Sequence, residues 1–250
     1  MASGALQLAT VVDLDDRAAP QLPLPTIIDL RDQPGRAVER TVAPVVLSAV
    51  PRPARHLGKR VLDVTVAATL LVLVVPVLLV TALAIKLHDG GPVLYRQRRV
   101  GFRGETFAML KFRSMGTDAD QRLAELADRN KCDGLLFKVD DDPRVTPVGR
   151  FIRRTSVDEL PQLWQVLRGE MSLVGPRPLP VDPDEFRDDA RRRHDVRPGI
   201  TGSWQVSGGP DLSYAEMVEL DLSYVRQWSL GLDLRIMLRT LPALLNKRSC

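Results

Sequence analysis

The longest uninterrupted hydrophobic stretch of the chain runs from Val64 to Ile85, 22 positions without a charged residue. This length is enough to cross the hydrocarbon core of a bilayer, which needs about 20 residues. A buried helix of a soluble domain can be equally apolar, but its length is more often between 8 and about 20 residues. The pattern therefore predicts a membrane-embedded helix over residues 57–88.

Basic residues flank this stretch on both sides, and a proline lies near its middle. Lysine and arginine near the ends of a membrane segment favour the cytoplasmic side. Pro76 removes a backbone N–H and frees the carbonyl of Val72, which favours a kink. Together these features predict a re-entrant helix–break–helix that enters and leaves on the cytoplasmic face. The flanking charges are Arg52, Arg55, Lys59 and Arg60 before the stretch, and Arg96, Arg98, Arg99 and Arg103 after it.

The segments on either side of the helix differ in pattern. Residues 1–56 carry prolines among short apolar pieces without a lasting period, which indicates a flexible leader. Residues 89–250 are expected to form one small folded domain. Within it, two short segments at 92–97 and 106–113 surround a glycine-containing turn and predict a β-hairpin.

Helical patterns fill much of the remaining domain. They cover residues 184–195, 214–228 and 232–245, and the last of these is amphipathic enough to lie on a membrane surface. The predicted fold class is therefore α+β and predominantly helical, with a re-entrant membrane helix, a short hairpin and amphipathic interfacial helices.

The composition narrows the class of partner. A net charge of +4 suits anionic ligands or acidic lipid headgroups. Only two cysteines occur, Cys132 and Cys250, and the three histidines are scattered, which argues against a disulfide framework and a structural zinc site. The basic residues alternate with acidic ones and form no nucleic-acid-binding motif, so no nucleic acid partner is expected.

Two adjacent carboxylates, Asp158 and Glu159, follow a basic cluster at the predicted start of a helix. The N–H groups at a helix N-terminus attract phosphate, and a carboxylate beside bound phosphate can act as a nucleophile while its neighbour holds a metal ion. Ser156 and Glu159 also match a capping box, and taken alone the segment favours that structural role. Because Pro161 cannot donate to the Val157 carbonyl, a helix that begins at Asp158 is the alternative to one capped by Ser156.

Two later segments add candidate phosphate contacts. Pro176 and Pro178 bracket Arg177, and a guanidinium held in this way suits a phosphate oxygen. The turn-rich loop at 197–205 is typical of backbone that surrounds a ligand.

These segments occur in the same order in one family. Over residues 57–245 the chain resembles bacterial sugar transferases, which are monotopic polyprenyl-phosphate phosphoglycosyl transferases. The resemblance rests on Lys59-Arg60-x-x-Asp63, the apolar stretch with Pro76, Tyr95-Arg96-Gln97, Lys111-Phe112-Arg113-Ser114-Met115, Ser156-Val157-Asp158-Glu159-Leu160-Pro161-Gln162-Leu163, Val174-Gly175-Pro176-Arg177-Pro178 and Arg197-Pro198-Gly199-Ile200-Thr201-Gly202.

The resemblance implies an enzyme of the bacterial inner membrane whose catalytic domain faces the cytoplasm. Such an enzyme transfers a sugar 1-phosphate from a UDP-sugar to polyprenyl phosphate, usually undecaprenyl phosphate, and releases UMP. This reaction starts the assembly of exopolysaccharide, capsule or O-antigen. By resemblance Asp158 is the nucleophile that forms a phosphosugar-aspartyl intermediate, and Glu159 binds Mg²⁺.

The resemblance also implies the substrate contacts. The expected substrate-binding residues are Lys111, Arg113, Arg177, Arg197 and Gln205. Segments 134–138 and 141–146 are similar to exopolysaccharide-type members, which favours UDP-glucose or UDP-galactose. The competing interpretation is a non-catalytic membrane-anchored binding module whose basic patches contact acidic lipids.

Overall fold

The computed structural model describes residues 53–122, 126, 139, 141–180, 183–186, 188–209 and 212–245. The predicted leader up to residue 52 and the segment 134–138 lie outside this part of the chain. Within it the fold is mainly helical with a few short strands, which confirms the α+β class. The elements are α1 (Pro53–Asp89), β1 (Leu94–Val100), β2 (Thr106–Phe112), α2 (Pro147–Arg154), α3 (Gln162–Arg168), β3 (Ser172–Val174), β4 (Gly199–Thr201), α4 (Ser203–Ser207), α5 (Tyr214–Gln227) and α6 (Leu230–Leu245).

The predicted β-hairpin is confirmed. Strands β1 and β2 pair antiparallel, with Leu94 opposite Phe112 at one end and Val100 opposite Thr106 at the other. Alternate residues of β1 are exposed and half-buried, so one face of the hairpin is directed towards the domain. The hairpin therefore presents a row of side chains from each strand to the domain interior.

Strands β3 and β4 form a short parallel pair that brings two proline-flanked turns together. Ser172 lies opposite Gly199, and Gly175 N–H donates to the Thr201 carbonyl at 2.9 Å. A Cβ atom on Gly175 would lie 2.3 Å from the carbonyl oxygen of Arg197, so this approach requires glycine. The turn that carries Arg177 is thus fixed against the loop that begins at Arg197.

Helix α1 continues through Pro76, where the sequence predicted a break. Proline has a φ angle compatible with a helix, and its main cost is the hydrogen bond that its missing N–H would have donated. The structure therefore has one helix where the prediction had two. It is the one helix among the described residues that is long and apolar enough to cross a membrane. Its path relative to a membrane stays a prediction.

One stripe of α1 packs against the domain along most of the helix. Near the N-terminal end, Lys59 Nζ donates to Asp233 at 2.8 Å, and Asp63 accepts from the Leu173 N–H at 3.1 Å. Near the C-terminal end, Ile85 is buried in one cluster with Phe112 and Ile152. The opposite side forms an outer stripe of exposed apolar residues, namely Val72, Leu73, Leu79, Val80, Leu83 and Leu87.

The two C-terminal helices are confirmed, with Ser213 and Glu216 forming a capping box at the start of α5. Helix α6 buries Ile236 and exposes leucines that include Leu234, Leu238 and Leu241, so it is amphipathic as predicted. The predicted helix over 184–195 is wrong, because two 3₁₀ segments, Pro183–Glu185 and Asp188–Asp195, occupy this region. Its side chains bond inward, since Arg191 donates to the Phe186 carbonyl at 2.6 Å and Arg193 pairs with Asp221.

Candidate active site

The predicted reaction centre lies in a short 3₁₀ turn between α2 and α3. The turn spans Val157–Glu159, and Asp158 is buried with 8% of its surface exposed. Ser156, directly before it, has a left-handed backbone conformation with φ of 56°. Non-glycine residues seldom adopt this conformation, and such strain is concentrated at functional sites, where the surrounding structure maintains it. The local backbone is therefore consistent with a functional turn.

The turn shows that the capping box is not formed. Ser156 makes no capping hydrogen bond through its side chain, and α3 begins only at Gln162, after Pro161. Both predicted helix starts, at Ser156 and at Asp158, are therefore wrong. Pro161 has no N–H to bond the Val157 carbonyl; instead the Leu160 N–H bonds this carbonyl at 3.2 Å in a 3₁₀ pattern. Asp158 therefore does not lie at the N-terminus of an α-helix, where backbone N–H groups would attract phosphate.

Glu159 is the point where the predicted cations meet. Its Oε1 accepts from Lys111 Nζ at 2.9 Å and from Arg177 Nη2 at 2.8 Å. Burial raises the pKa of the Glu159 carboxyl, but the charges and hydrogen bonds of Arg177 and Lys111 outweigh burial and hold this pKa well below its usual range. Burial lowers the pKa of Lys111, against the opposing charge of Glu159. The site thus holds an ionised glutamate between two cations.

Arg177 is held from behind by a buried ion pair. Arg193 donates from Nη2 to the Arg177 carbonyl at 2.8 Å, and the same guanidinium pairs with Asp221. Both side chains of this pair are 1% exposed. The Arg177 guanidinium carbon also lies 5.9 Å from the centre of the Trp204 ring. The backbone and the side chain of Arg177 are therefore both positioned by neighbours.

Two other predicted basic residues bond elsewhere. Arg113 pairs with Asp89 at the end of α1 and donates to the Pro92 carbonyl at 2.6 Å. Arg197 donates to the Gly169 carbonyl at 2.8 Å, and its guanidinium carbon lies 5.4 Å from the centre of the Phe102 ring. The structure thus gives both guanidinium groups structural partners, and their contact with substrate stays a prediction.

Gln205 lies in α4, next to Trp204. Its Nε2 donates to the Ile200 carbonyl at 3.4 Å, whereas its Oε1 is buried without a hydrogen-bond partner among the described residues. Trp204 Nε1 is likewise buried without a partner there. Buried polar atoms are normally paired, so these two atoms have bonding capacity to spare. The predicted substrate contact of Gln205 stays a prediction.

Arg99 is a basic residue beside the site that the sequence motifs did not predict. Arg99 Nη1 donates to the Pro178 carbonyl at 2.8 Å, directly after Arg177. Burial lowers the pKa of Arg99 to about 9, and the Arg177 charge contributes to this shift. Arg99 was counted only among the charges that flank the hydrophobic stretch. Strand alternation would have placed it on the same face as Gln97, which is the signal that was overlooked.

The chemistry of the two carboxylates fits a magnesium ion. Among the described residues, no group of three or more histidine, cysteine or acidic side chains could hold a metal. Mg²⁺ does not require such a cage, because it binds through one or two carboxylates together with substrate phosphates and water. No hydrogen bond or ion pair within the described chain engages Oε2 of Glu159, whereas Oε1 holds the two cations.

The protein-family model described as Bacterial sugar transferase matches residues 54–247 of this chain. This chain belongs to the bacterial sugar transferase family. The match includes Asp158, Glu159 and every cation described above. It confirms the resemblance found in the sequence and the prediction that the chain is an enzyme of the transferase class. Together with the apolar α1, it indicates association with a membrane.

Curated members of the bacterial sugar transferase family are similar to this chain over about three quarters of its length. The exopolysaccharide production protein ExoY of Sinorhizobium fredii is 44% identical over 77% of this chain and 87% of its own length. The UDP-glucose:undecaprenyl-phosphate glucose-1-phosphate transferase of Caulobacter vibrioides is 45% identical over 78% of this chain and 73% of its own length. The galactosyl transferase CpsE of Streptococcus agalactiae is 45% identical over 76% of this chain, which spans 42% of that relative.

Proposed function

We propose that the chain transfers a sugar 1-phosphate from a UDP-sugar to polyprenyl phosphate, releases UMP and so initiates exopolysaccharide, capsule or O-antigen assembly. The observation that carries this proposal is the convergence of Lys111 and Arg177 on Glu159, beside the buried carboxylate of Asp158. The relatives support the class of reaction, since the Caulobacter vibrioides protein is named as a glucose-1-phosphate transferase to undecaprenyl phosphate.

In the proposed reaction, a carboxylate oxygen of Asp158 attacks the phosphorus that carries the sugar. An aspartyl O–P bond forms, the pyrophosphate P–O bond breaks, and UMP leaves with the bonding electrons. An oxygen of polyprenyl phosphate then attacks the same phosphorus and releases the carboxylate of Asp158. This order lets a soluble substrate and a lipid substrate use one small site in turn.

The cations are required because the attack brings like charges together. A carboxylate 4 Å from a phosphate charge experiences about 4 kcal/mol of repulsion at an effective dielectric of about 20. Two such charges would add roughly 8 kcal/mol and slow the step by about 10⁵- to 10⁶-fold. Lys111 and Arg177 are placed to offset this repulsion. A magnesium ion bound by Glu159 and the phosphates would supply further positive charge when present.

The packing of α1 supports a path that does not cross the bilayer, which is one part of the proposed re-entrant placement in the cytoplasmic leaflet of the inner membrane. Arg60 near its start donates to the carbonyls of Val166 and Leu167 at 2.5 and 2.8 Å, and Asp89 at its end pairs with Arg113. Both ends thus contact the same domain. A helix that crossed the bilayer would carry its ends to opposite sides, about 30 Å apart. Contact of both ends with one domain agrees with the basic flanks on both sides.

Exposed apolar residues define the proposed lipid contact. The proposed lipid-facing surfaces are the outer stripe of α1 and the exposed leucines of α6, and the two helices meet near Gly58, where Leu230 Cδ1 would lie 3.5 Å from an added Cβ atom. A lipid surface would cover both faces and remove their apolar area from water. The proposal places polyprenyl phosphate at this boundary, where its tail stays in lipid.

UDP-glucose and UDP-galactose are the proposed donors. One relative is named for glucose 1-phosphate transfer from UDP-glucose, and another is named as a galactosyl transferase. Of the two segments whose resemblance favours these sugars, 134–138 lies outside the described residues, and 141–146 leads into α2.

The experiment that tests the proposed function is UMP release by the membrane-reconstituted chain. With undecaprenyl phosphate, Mg²⁺ and either UDP-sugar, steady UMP release is expected from the wild type. The Asp158→Asn variant should show none above background, because an amide is a poor nucleophile. Asp118→Asn, which changes an exposed carboxylate outside the site, serves as the matched control. Equal release by the wild type and Asp158→Asn would contradict the role of Asp158, and no release by the wild type with any UDP-sugar would favour a binding module.

A further inference from the structure

Arg99 is a cation beside the site that forms no ion pair with any carboxylate of the described residues. Residues of β1 alternate between exposed and half-buried positions, so Arg99 and Gln97 face the domain while Arg98 faces solvent. Tyr95, on the same face as Arg99, lies opposite Lys111 in β2. Cross-strand partners direct their side chains to the same face of a hairpin. Arg99 and Lys111 therefore extend from one face of the hairpin towards the site.

The contacts of Arg99 fix its guanidinium but leave its charge unneutralised. Nη1 donates to the Pro178 carbonyl at 2.8 Å, and Nη2 donates to Gln97 Oε1 at 2.5 Å. Nε is buried and has no hydrogen-bond partner among the described residues, and no described carboxylate forms an ion pair with Arg99. A buried charge without a direct ion-pair partner is costly to maintain. A side chain kept in this state beside a site has capacity for an anion.

The charges of the site also favour an anion-binding role for Arg99. Lys111, Arg177 and Arg99 bring three positive charges near the two carboxylates of Asp158 and Glu159, and electrostatic coupling links Arg99 to Arg177 and Glu159. Glu159 already binds Lys111 and Arg177. Arg99 is the cation of this group that an incoming diphosphate could use without competing with Glu159.

We propose that Arg99 is a diphosphate-binding residue that contacts the phosphates of the nucleotide-sugar. The inference rests on the proposed function, since it assigns one more contact in the same site. The alternative role is purely structural: the bonds of Arg99 to Pro178 and Gln97 would then only tie β1 to the turn that carries Arg177. The two roles predict different effects of replacing Arg99. Loss of a phosphate contact weakens the binding of ligands with phosphates only, whereas loss of a structural contact weakens all ligands equally.

The test compares ligands that differ in phosphate content, on the full chain in lipid nanodiscs. UDP affinity is measured by calorimetry, and uridine affinity by its displacement of labelled UDP. Arg99→Gln should weaken UDP binding about 10- to 100-fold, the range expected for one charge-assisted hydrogen bond, and leave uridine binding unchanged. Arg98→Gln, on the exposed face of the same strand, should change neither affinity.

Equal weakening of UDP and uridine by Arg99→Gln, or no weakening of either, would overturn the proposal in favour of a structural tie. Arg99→Lys keeps the charge but not the planar guanidinium, so it should retain a greater share of UDP affinity than Arg99→Gln. If Arg99→Gln does not fold, Arg99→Lys distinguishes the two roles. A purely structural role predicts that Arg99→Lys weakens UDP and uridine binding equally. A wild type that binds UDP no better than uridine would instead contradict the proposed function.

Discussion

Two groups of basic residues come from the same sequence motifs, yet they occupy different regions of the molecule. Lys111 and Arg177 converge on Glu159, whereas Arg113, two residues after Lys111, pairs with Asp89 at the end of α1. The site cations face a glutamate in a strained turn beside a second carboxylate. Arg113 instead connects the apolar helix α1 to the domain. The sequence predicts substrate contact for both Arg113 and Arg177, yet in the structure the two arginines have different partners.

This difference shows that a basic residue in these motifs serves either the reaction or the stability of the fold. A cation beside the reacting group stabilises the negative charge of the transition state, and its removal should reduce the reaction rate. A cation that connects two elements stabilises the fold, and its loss should reduce stability while the ligand still binds. Measuring both quantities for matched variants separates the two uses.

The largest effect is expected for the site cations. Lys111→Met and Arg177→Met should each lower kcat/KM for UDP-sugar by about 10²- to 10³-fold, the usual loss when one group that stabilises transition-state charge is removed. The unfolding temperature should fall less for Arg177→Met than for Arg113→Met, because Lys111 still pairs with Glu159 after the change, whereas Asp89 loses its ion-pair partner. Steady-state UMP release and thermal unfolding measure the two quantities. A loss below about 5-fold in both variants would remove them from the reaction centre.

Arg113→Met should reduce the stability of the fold and leave ligand binding nearly unchanged. Removing one partner of a buried ion pair costs about 3 to 5 kcal/mol, and the 26% exposure of the Asp89 side chain reduces the expected loss of stability to about 1 to 3 kcal/mol. UDP affinity should stay within about 2-fold of the wild type. A double-mutant cycle with Asp89→Asn measures the coupling by thermal unfolding. Strong weakening of UDP binding without loss of stability would return Arg113 to the substrate site.

The smallest effect concerns pH. The cations hold the pKa of Glu159 below its unfolded value of 4.5, so the folded state binds this proton more weakly than the unfolded state does. The stabilisation is therefore fully present above the unfolded pKa and is lost as the pH falls through the folded pKa. The stability difference between wild type and Glu159→Gln should be constant from pH 6 to 8 and shift against the wild type below about pH 4.5. A step near pH 6 to 7 would contradict an ionised Glu159.

Much of this arrangement could be predicted from the sequence. Two short strand-like segments around a glycine-containing turn predicted the hairpin of β1 and β2, and helical periods predicted α5 and α6. Motif order predicted that Lys111, Arg177 and Glu159 belong to one site, and in the structure the two cations contact Glu159. These features could be predicted because they depend on local pattern or on residue identity.

The remaining features depend on contacts between distant segments. Ser156 and Glu159 have the spacing of a capping box, but long-range ion pairs draw Glu159 away from it. Pro76 favours a kink, yet packing along α1 accompanies a continuous helix. Arg99 enters the site only because β1 is adjacent to the Arg177 turn. Spacing along the chain does not determine which of several cations meets a given carboxylate.

The central claim is that Asp158 is the nucleophile in a site assembled around Glu159. The most direct measurement is the intact mass of the chain after incubation with UDP-sugar and Mg²⁺ without polyprenyl phosphate, followed by peptide mapping. The wild type should gain the mass of one sugar phosphate on the peptide that contains Asp158, and this mass should disappear when polyprenyl phosphate is added. Asp158→Asn should gain none. The same adduct on Asp158→Asn, or an adduct mapped to another residue, would contradict the account.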